Sequence, residues 1–327
     1  MIRYQDIRGV IALCPTPAKQ GADRWDSHDT VDVDETERMI RNLLASGIDG
    51  IVLLGTLGEM ATLTESEWRT FAQVAVETVQ AFDPDFPLFI GATTLNTRDT
   101  IARIRFLEAL QVKGVFLGRP MWCAMDEHSI ITFYKTIADT FPNISIMLYD
   151  NPEAFKGVIP TAVYAELAKI PQIVACKYVS LTPKFRADME VTRGHIRILP
   201  LESDWLQAWI LYPDDVIACW SSSALCGPEP VLFLRDALRR GDLEAARWIS
   251  RRIEWAYEPF LARQNFQEFS KYNIALEKIR FDEAGFVHAG PARPPYHIVP
   301  PQYVAGAREH ARRWLQLVAA VRERTTI

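Results

Sequence analysis

Gly50-Ile51-Val52-Leu53-Leu54-Gly55-Thr56-Leu57-Gly58-Glu59 is a short apolar run closed by a glycine turn, and Thr64-Glu65-Ser66-Glu67 follows it. The run is rich in branched aliphatics and too short for a helix, so it reads as a strand buried on both faces. Thr64 and Glu67 have the spacing of a capping box, which starts a helix there. Strand, glycine turn and helix within about thirty residues form one unit of a parallel α/β fold.

The unit recurs in both directions. Upstream, Gly9 to Leu13 is a buried strand ending at Cys14-Pro15-Thr16-Pro17. The polar stretch from Gln20 to Asp34, a loop or an edge hairpin, then leads to an amphipathic helix ending near Gly47. Downstream, Pro87 to Gly91 precedes a helix from about Arg98, and Gly114 to Leu117 precedes one from Glu127 to Phe141. Four more strands read as Ile144 to Tyr149, Ile173 to Lys177, Ile196 to Leu199 and Asp215 to Trp220, with an eighth helix over 230–240. Strands and helices alternating in this way predict an α/β fold, a (β/α)8 TIM barrel over residues 1–240 that carries the active site. From Gly241 the pattern turns purely helical: one helix to about Ala262, then segments 267–284 and 301–323 joined through Pro291-Ala292-Arg293-Pro294-Pro295-Tyr296. Residues 241–327 are therefore expected to be a C-terminal helical extension packed on the barrel. In its last helix Arg312 and Arg322 lie beside an apolar stripe of Trp314, Leu317 and Val321 and read as a solvated face.

The 327 residues carry a net charge of −5 with no long block of like charge, which argues against nucleic acid or an anionic membrane as the main partner and favours a small-molecule substrate. The five cysteines, Cys14, Cys123, Cys176, Cys219 and Cys226, form no CxxC pair and read as reduced residues of a cytoplasmic protein. Met1 to Asp6 lacks the apolar core of a signal peptide, and no later run is long enough to span a bilayer.

In such a barrel the chemistry lies at the carboxyl ends of the strands. Those positions hold Thr56, Leu57 and Glu59, then Met121 and Trp122, Tyr149, Lys177, and Trp220 with Ser221. Burial disfavours the ammonium form of a lysine, so Lys177 at the end of Ile173-Val174-Ala175-Cys176-Lys177-Tyr178 is a candidate Schiff-base nucleophile for a ketone. A solvated strand-end lysine would read the same way from this stretch alone. Tyr149 is the candidate proton shuttle, relayed through the Thr56 hydroxyl, and the amides of the Thr56-Leu57 turn offer a seat for a substrate carboxylate.

Gly55-Thr56-Leu57-Gly58-Glu59, Tyr149-Asp150-Asn151-Pro152 and Lys177, in this order and at these intervals, resemble the dihydrodipicolinate synthase and N-acetylneuraminate lyase superfamily of pyruvate-dependent class I aldolases. The resemblance covers almost the whole chain. It implies a Schiff base on Lys177, Tyr149 as shuttle with Thr56 as relay, no cofactor and no metal, and a homotetramer in which paired barrels exchange an aromatic residue. The departures bear on substrate. Leu57 replaces the family's second threonine, Trp122 matches a tyrosine, and Ala154 falls where an arginine reads a distant carboxylate, so the pocket is aromatic and apolar. Within the superfamily the chain looks most like the trans-o-hydroxybenzylidenepyruvate hydratase-aldolases and 2'-carboxybenzalpyruvate aldolases of bacterial aromatic-hydrocarbon degradation. Asn151 to Lys156, Trp220-Ser221-Ser222, Ser270-Lys271-Tyr272-Asn273 and Arg293-Pro294-Pro295-Tyr296 support this. The subgroup implies Trp220 and Asn273 on the aryl side, with Asn273 bonding substrate or water. Arg119, before Pro120 on the rim of strand four, is one cation positioned to read an ortho carboxylate, with an ion pair at a subunit contact, or solvent, as its competing role.

Other readings compete. A metal-dependent aldolase is disfavoured by six histidines without ligand spacing. Glu59 with Glu202 and Asp204 would be a glycosidase set, but Glu59 sits in the glycine turn and reads as a structural hydrogen-bond partner. Ser221-Ser222-Ser223 and Gly227 sit where barrels bind phosphate. An aldolase for an aliphatic keto acid shares the same core residues, and a non-catalytic barrel that senses a keto acid is the alternative outside enzymology.

Overall fold

The computed structural model describes residues 1–325, and within them the strands fall as the apolar runs predict. They are β1 (Gly9–Leu13), β2 (Gly50–Leu53), β3 (Leu88–Gly91), β4 (Gly114–Leu117), β5 (Ser145–Tyr149), β6 (Ile173–Lys177), β7 (Arg197–Leu199) and β8 (Ala218–Ser221). All belong to one eight-stranded sheet in the order β7-β6-β5-β4-β3-β2-β1-β8. A parallel bridge between Leu201 and Trp220 joins its two ends. This is a TIM barrel, and nearly every strand residue is buried because helices follow each strand and cover its outer face.

The helices that follow are α1 (Val33–Ser46), α2 (Glu65–Phe82), α3 (Thr97–Ala109), α4 (Glu127–Thr140), α5 (Thr161–Leu167), α6 (Pro183–Thr192), α7 (Trp205–Leu211) and α8 (Glu229–Arg239). Their starts are written in side chains. Asp32, Asn96 and Asp126 accept from backbone amides at the heads of α1, α3 and α4, and Thr64 with Glu67 forms the expected capping box of α2. Gly47 closes α1 in the left-handed conformation. The helical extension comprises α9 (Leu243–Tyr257), α10 (Leu261–Gln264), α11 (Phe266–Ser270), α12 (Asn273–Ala284) and α13 (Pro301–Thr325). Thr326 and Ile327, the end of the expected 241–327 extension, lie outside the described residues.

Four differences from the sequence reading are larger than a residue or two. The eighth strand starts at Ala218 rather than Asp215, because the amides of Asp215 and Val216 turn back to the Tyr212 carbonyl. The helix expected to reach Ala262 stops at Tyr257, just before Pro259, which has no amide hydrogen to donate. The helix expected over 267–284 breaks at Lys271 and Tyr272, which makes Asn273 the first residue of α12. The hairpin alternative for 20–34 reduces to one antiparallel bridge, Ala18 with Val31.

By compactness the chain divides into two units. One contains Met1–Ile11, Asp49–Leu53 and Pro87–Trp220; the other contains Ala12–Ile48, Leu54–Phe86 and everything from Ser221 onward. In this division the loop and helix after β2 group with the C-terminal helices. In this second unit Trp314, Leu317 and Val321 of α13 are buried, as their spacing predicts, and the Trp314 indole donates to the Gly227 carbonyl at 2.8 Å. Arg312 and Arg322 are exposed and paired with Glu283 and Glu229. No described helix is long and apolar enough to cross a membrane.

Candidate active site

Tyr149 and Lys177 end neighbouring strands and are register partners, Tyr149 opposite Lys177. A bulge makes them so. Ile146 pairs with Ile173 but Met147 pairs with Ala175, so β6 carries one extra residue, Val174. Without it Tyr149 would stand opposite Cys176, and a one-residue slip turns a strand's side chains to the other face. Instead the Cys176 thiol lies 3.2 Å from the Tyr164 hydroxyl of α5, and Lys177 takes the opposite face of the strand.

The amine is enclosed by aromatic surface. Lys177 Nζ stands 3.8 Å from the Trp220 ring centroid and 5.2 Å from that of Tyr149, and only 7% of the lysine is exposed. The Trp220 indole is fixed by donating to the Tyr178 carbonyl at 2.7 Å. Such a face attracts an ammonium, and equally an iminium, while keeping water away.

Tyr149 is held on three sides. Its ring stacks on Phe116 at 4.4 Å and meets the edge of Phe155 at 5.1 Å. Asn151 Nδ2 donates to the phenol oxygen at 3.1 Å. The Asn151 carbonyl oxygen accepts from the amides of Glu153 and Ala154, which fixes the amide so that its NH2 end meets the phenol. The phenol oxygen therefore accepts from Asn151, and its own proton is directed elsewhere. Asn151 was legible as part of a motif but not as this contact, because the bond depends on the turn after β5.

The Phe155 ring leans on Gly118, where an added Cβ would stand 2.0 Å from the ring tip. Gly118→Ala is expected to destabilise the protein by about 1–3 kcal/mol, since a buried ring must move. A thermal melt showing an unchanged midpoint would contradict this packing.

Arg119 is 3% exposed, so the expectation of a rim cation is corrected. Its guanidinium donates to Asp150 at 3.2 Å and to the Gly157 carbonyl at 2.5 Å, within its own chain, and braces the loop after β5. Asp150 also accepts from the Ile159 amide and the Tyr164 hydroxyl. Burial pushes the Asp150 carboxyl up, and the neighbouring Arg119 pulls it back. Trp122, by contrast, is 79% exposed.

Thr56, Leu57, Ser221 and Asn273 belong to the second unit. The turn carrying Thr56 and Leu57 is tightly wound. Leu54 and Glu59 both adopt positive φ, at 57° and 60°, a region costly for side chains larger than glycine. Gly58 is required between them, because a Cβ there would stand 2.8 Å from the Leu54 nitrogen. The amides of Glu59 and Met60 bond back to Thr56 and Gly55, and the Thr16 hydroxyl donates to the Gly58 carbonyl at 2.7 Å. The amides of Leu57 and Gly58 have no acceptor among the described residues.

The Glu59 carboxylate is fully buried and accepts from Lys278 Nζ at 2.7 Å, from the Arg293 amide at 2.7 Å and from the Arg293 guanidinium. This is the structural role expected for it, and it removes Glu59 from acid–base chemistry of the glycosidase kind. Burial pushes the Lys278 amine down to about 8, against the pull of Glu59. The serines are also engaged. Ser221 Oγ accepts from the Ala224 amide at 3.0 Å, and Arg280 donates to Ser222 at 2.7 Å and Ser223 at 2.9 Å. All three are buried. Asn273 Oδ1 is a buried acceptor with no partner among the described residues, a condition that costs about 1–3 kcal/mol when nothing relieves it. No group of three or more metal-ligating side chains occurs among the described residues.

Residues 20–209 match the Dihydrodipicolinate synthetase family, and the chain belongs to it. Two relatives are similar over nearly their whole length. One is the trans-2'-carboxybenzalpyruvate hydratase-aldolase of Nocardioides sp. strain KP7, 40% identical over 94% of this chain and 93% of the relative. The other is the trans-O-hydroxybenzylidenepyruvate hydratase-aldolase of Pseudomonas aeruginosa, 42% identical over 96% and 94%. Among solved structures, PhdJ bound to a substrate intermediate superposes with a TM-score of 0.94 at 41% identity, covering 97% of this chain and 98% of that one.

Proposed function

We propose that the chain is a Schiff-base hydratase-aldolase that cleaves an ortho-substituted trans-benzylidenepyruvate, with water, to an aromatic aldehyde and pyruvate. The observation that carries this reading is the buried pairing of Lys177 with Tyr149 beneath the Trp220 face, in a chain about 40% identical to named hydratase-aldolases. Lys177 condenses with the keto group, releasing water and forming an imine conjugated to the alkene. Protonation makes the imine an electron sink. Water then adds across the double bond, placing a hydroxyl on the aryl-bearing carbon. Tyr149, relayed through Thr56, takes that hydroxyl's proton as the carbon–carbon bond breaks to aldehyde and enamine. The enamine is protonated, and a second water releases pyruvate and restores the amine. Net, one water is consumed, and the chemistry calls for no cofactor, because the iminium itself stores the electron pair.

The substrate carboxylate is assigned to the Leu57 and Gly58 amides, and the aryl ring to Leu57, Trp220 and Asn273, with Ser221 supporting the wall. Trp122 acts across a subunit contact in a homotetramer, which gives its exposed ring a partner. The enzyme would work in the cytoplasm in breakdown of aromatic hydrocarbons such as naphthalene or phenanthrene, with an ortho hydroxyl or carboxyl on the ring.

The test is turnover of both ortho-substituted benzylidenepyruvates, followed as loss of their near-ultraviolet absorbance and appearance of aldehyde and pyruvate. Binding without bleaching would instead leave a keto-acid-binding barrel. Asn273→Ala removes the orphan acceptor and is expected to lower kcat/KM for the arylidenepyruvate about 5- to 160-fold, since a lost hydrogen bond of about 1–3 kcal/mol acts at about 1.36 kcal/mol per tenfold. Pyruvate trapping by the same variant should be unaffected. An unchanged kcat/KM would remove Asn273 from the aryl side.

A further inference from the structure

We propose that Lys278 and Arg293, both from the C-terminal extension, are positioning residues that clamp Glu59 and thereby hold the Leu57 and Gly58 amides in the geometry that receives the substrate carboxylate. The inference rests on the reading above that these amides are the carboxylate seat.

The turn has local bonds, from the Glu59 and Met60 amides to Thr56 and Gly55, but it also carries two strained residues. Leu54 and Glu59 both stand at positive φ, a strained region for side chains, and such residues persist only where the surroundings over-determine them. What over-determines this turn is the Glu59 side chain. Its two oxygens collect three donors from α12 and from the link before α13, namely Lys278 Nζ, the Arg293 amide and the Arg293 guanidinium.

Each cation is itself fully engaged. Lys278 Nζ also donates to the carbonyls of Thr16 at 3.2 Å and Pro291 at 2.9 Å. Arg293 also spans the connection between β1 and α1, reaching the Thr30 hydroxyl at 2.7 Å and the carbonyls of Thr16, Pro17 and Thr30. Thr30 in turn donates to Glu67, the capping residue of α2. One network thus ties both sides of the turn, Thr16 beneath Gly58 and Glu67 at the helix that follows, to the extension.

All three charged groups are at most 2% exposed. One buried carboxylate opposes two buried cations, with Asp282 the further acid that Lys278 senses from its own helix. With Glu67 joined through Thr30, the carboxylates of this cluster match its cations, so its effect on the neighbouring amides is one of position rather than of net charge.

The experiment is borohydride trapping of the full chain with pyruvate, titrated in wild type and in Lys278→Met, which keeps length and removes charge. The expected result is a rise of at least tenfold in the pyruvate concentration that half-saturates trapping, with the same one-adduct stoichiometry on Lys177 at saturation. A purely structural cluster would lower the melting temperature or the trappable fraction and leave half-saturation at its wild-type value, which would overturn the proposal. Should Lys278→Met not fold, Glu59→Gln carries the same titration. Failure of both to fold would assign the cluster to folding alone and also overturn it. Wild type that is not trapped at Lys177 defeats the Schiff-base reading itself, an outcome separate from any change between variants.

Discussion

Lys177→Ala is expected to abolish cleavage of the arylidenepyruvate, with turnover lowered by about 10⁴-fold or more, the scale on which loss of a nucleophile acts in enzymes. The argument is geometric. The amine is the polar end of a buried strand, enclosed by Trp220 and Tyr149, and alanine offers nothing that can form an imine. Because Ala175 and Cys176 hold the strand in register, the fold should survive. Near-ultraviolet assays and circular dichroism together check this. Turnover near the wild-type rate in a folded variant would mean that catalysis does not pass through this lysine.

Tyr149→Phe is expected to lower kcat by about 10²- to 10⁴-fold, the usual contribution of a positioned acid or base. The ring's contacts with Phe116 and Phe155 are kept by phenylalanine, so stability changes little. What is lost is the hydroxyl, and Asn151 Nδ2 is left facing a ring edge. Imine formation with pyruvate should continue, so trapping persists while cleavage fails. An unchanged kcat would take the tyrosine out of the mechanism.

Much of this was legible in the sequence because barrel strands are buried on both faces and announce themselves as unbroken apolar runs. The runs at Gly50, Gly114 and Ile173 each placed a strand within a residue of its observed bounds. Strand ends then named Tyr149 and Lys177. Their pairing was not legible, since it depends on the single extra residue Val174, and a bulge leaves no mark in apolar pattern.

Arg119 illustrates a second limit. Its place before Pro120 reads as a rim, yet its partner Asp150 lies 31 residues away in sequence and draws the guanidinium inward. The links from Glu59 to Lys278 and Arg293 span still more chain, 219 and 234 residues, and no local rule predicts which buried carboxylate will meet which cation. Helix ends inside the extension were missed for a simpler reason. The apolar stripe runs through Pro259 and Tyr272 without a pause, so periodicity alone joined helices that the backbone separates.

The most direct measurement is reduction of the wild-type protein with borohydride in the presence of pyruvate, followed by intact and peptide mass spectrometry. A single reduced adduct on Lys177, absent when pyruvate is omitted, is the predicted result. No adduct at saturating pyruvate, or one on another lysine, would contradict the account.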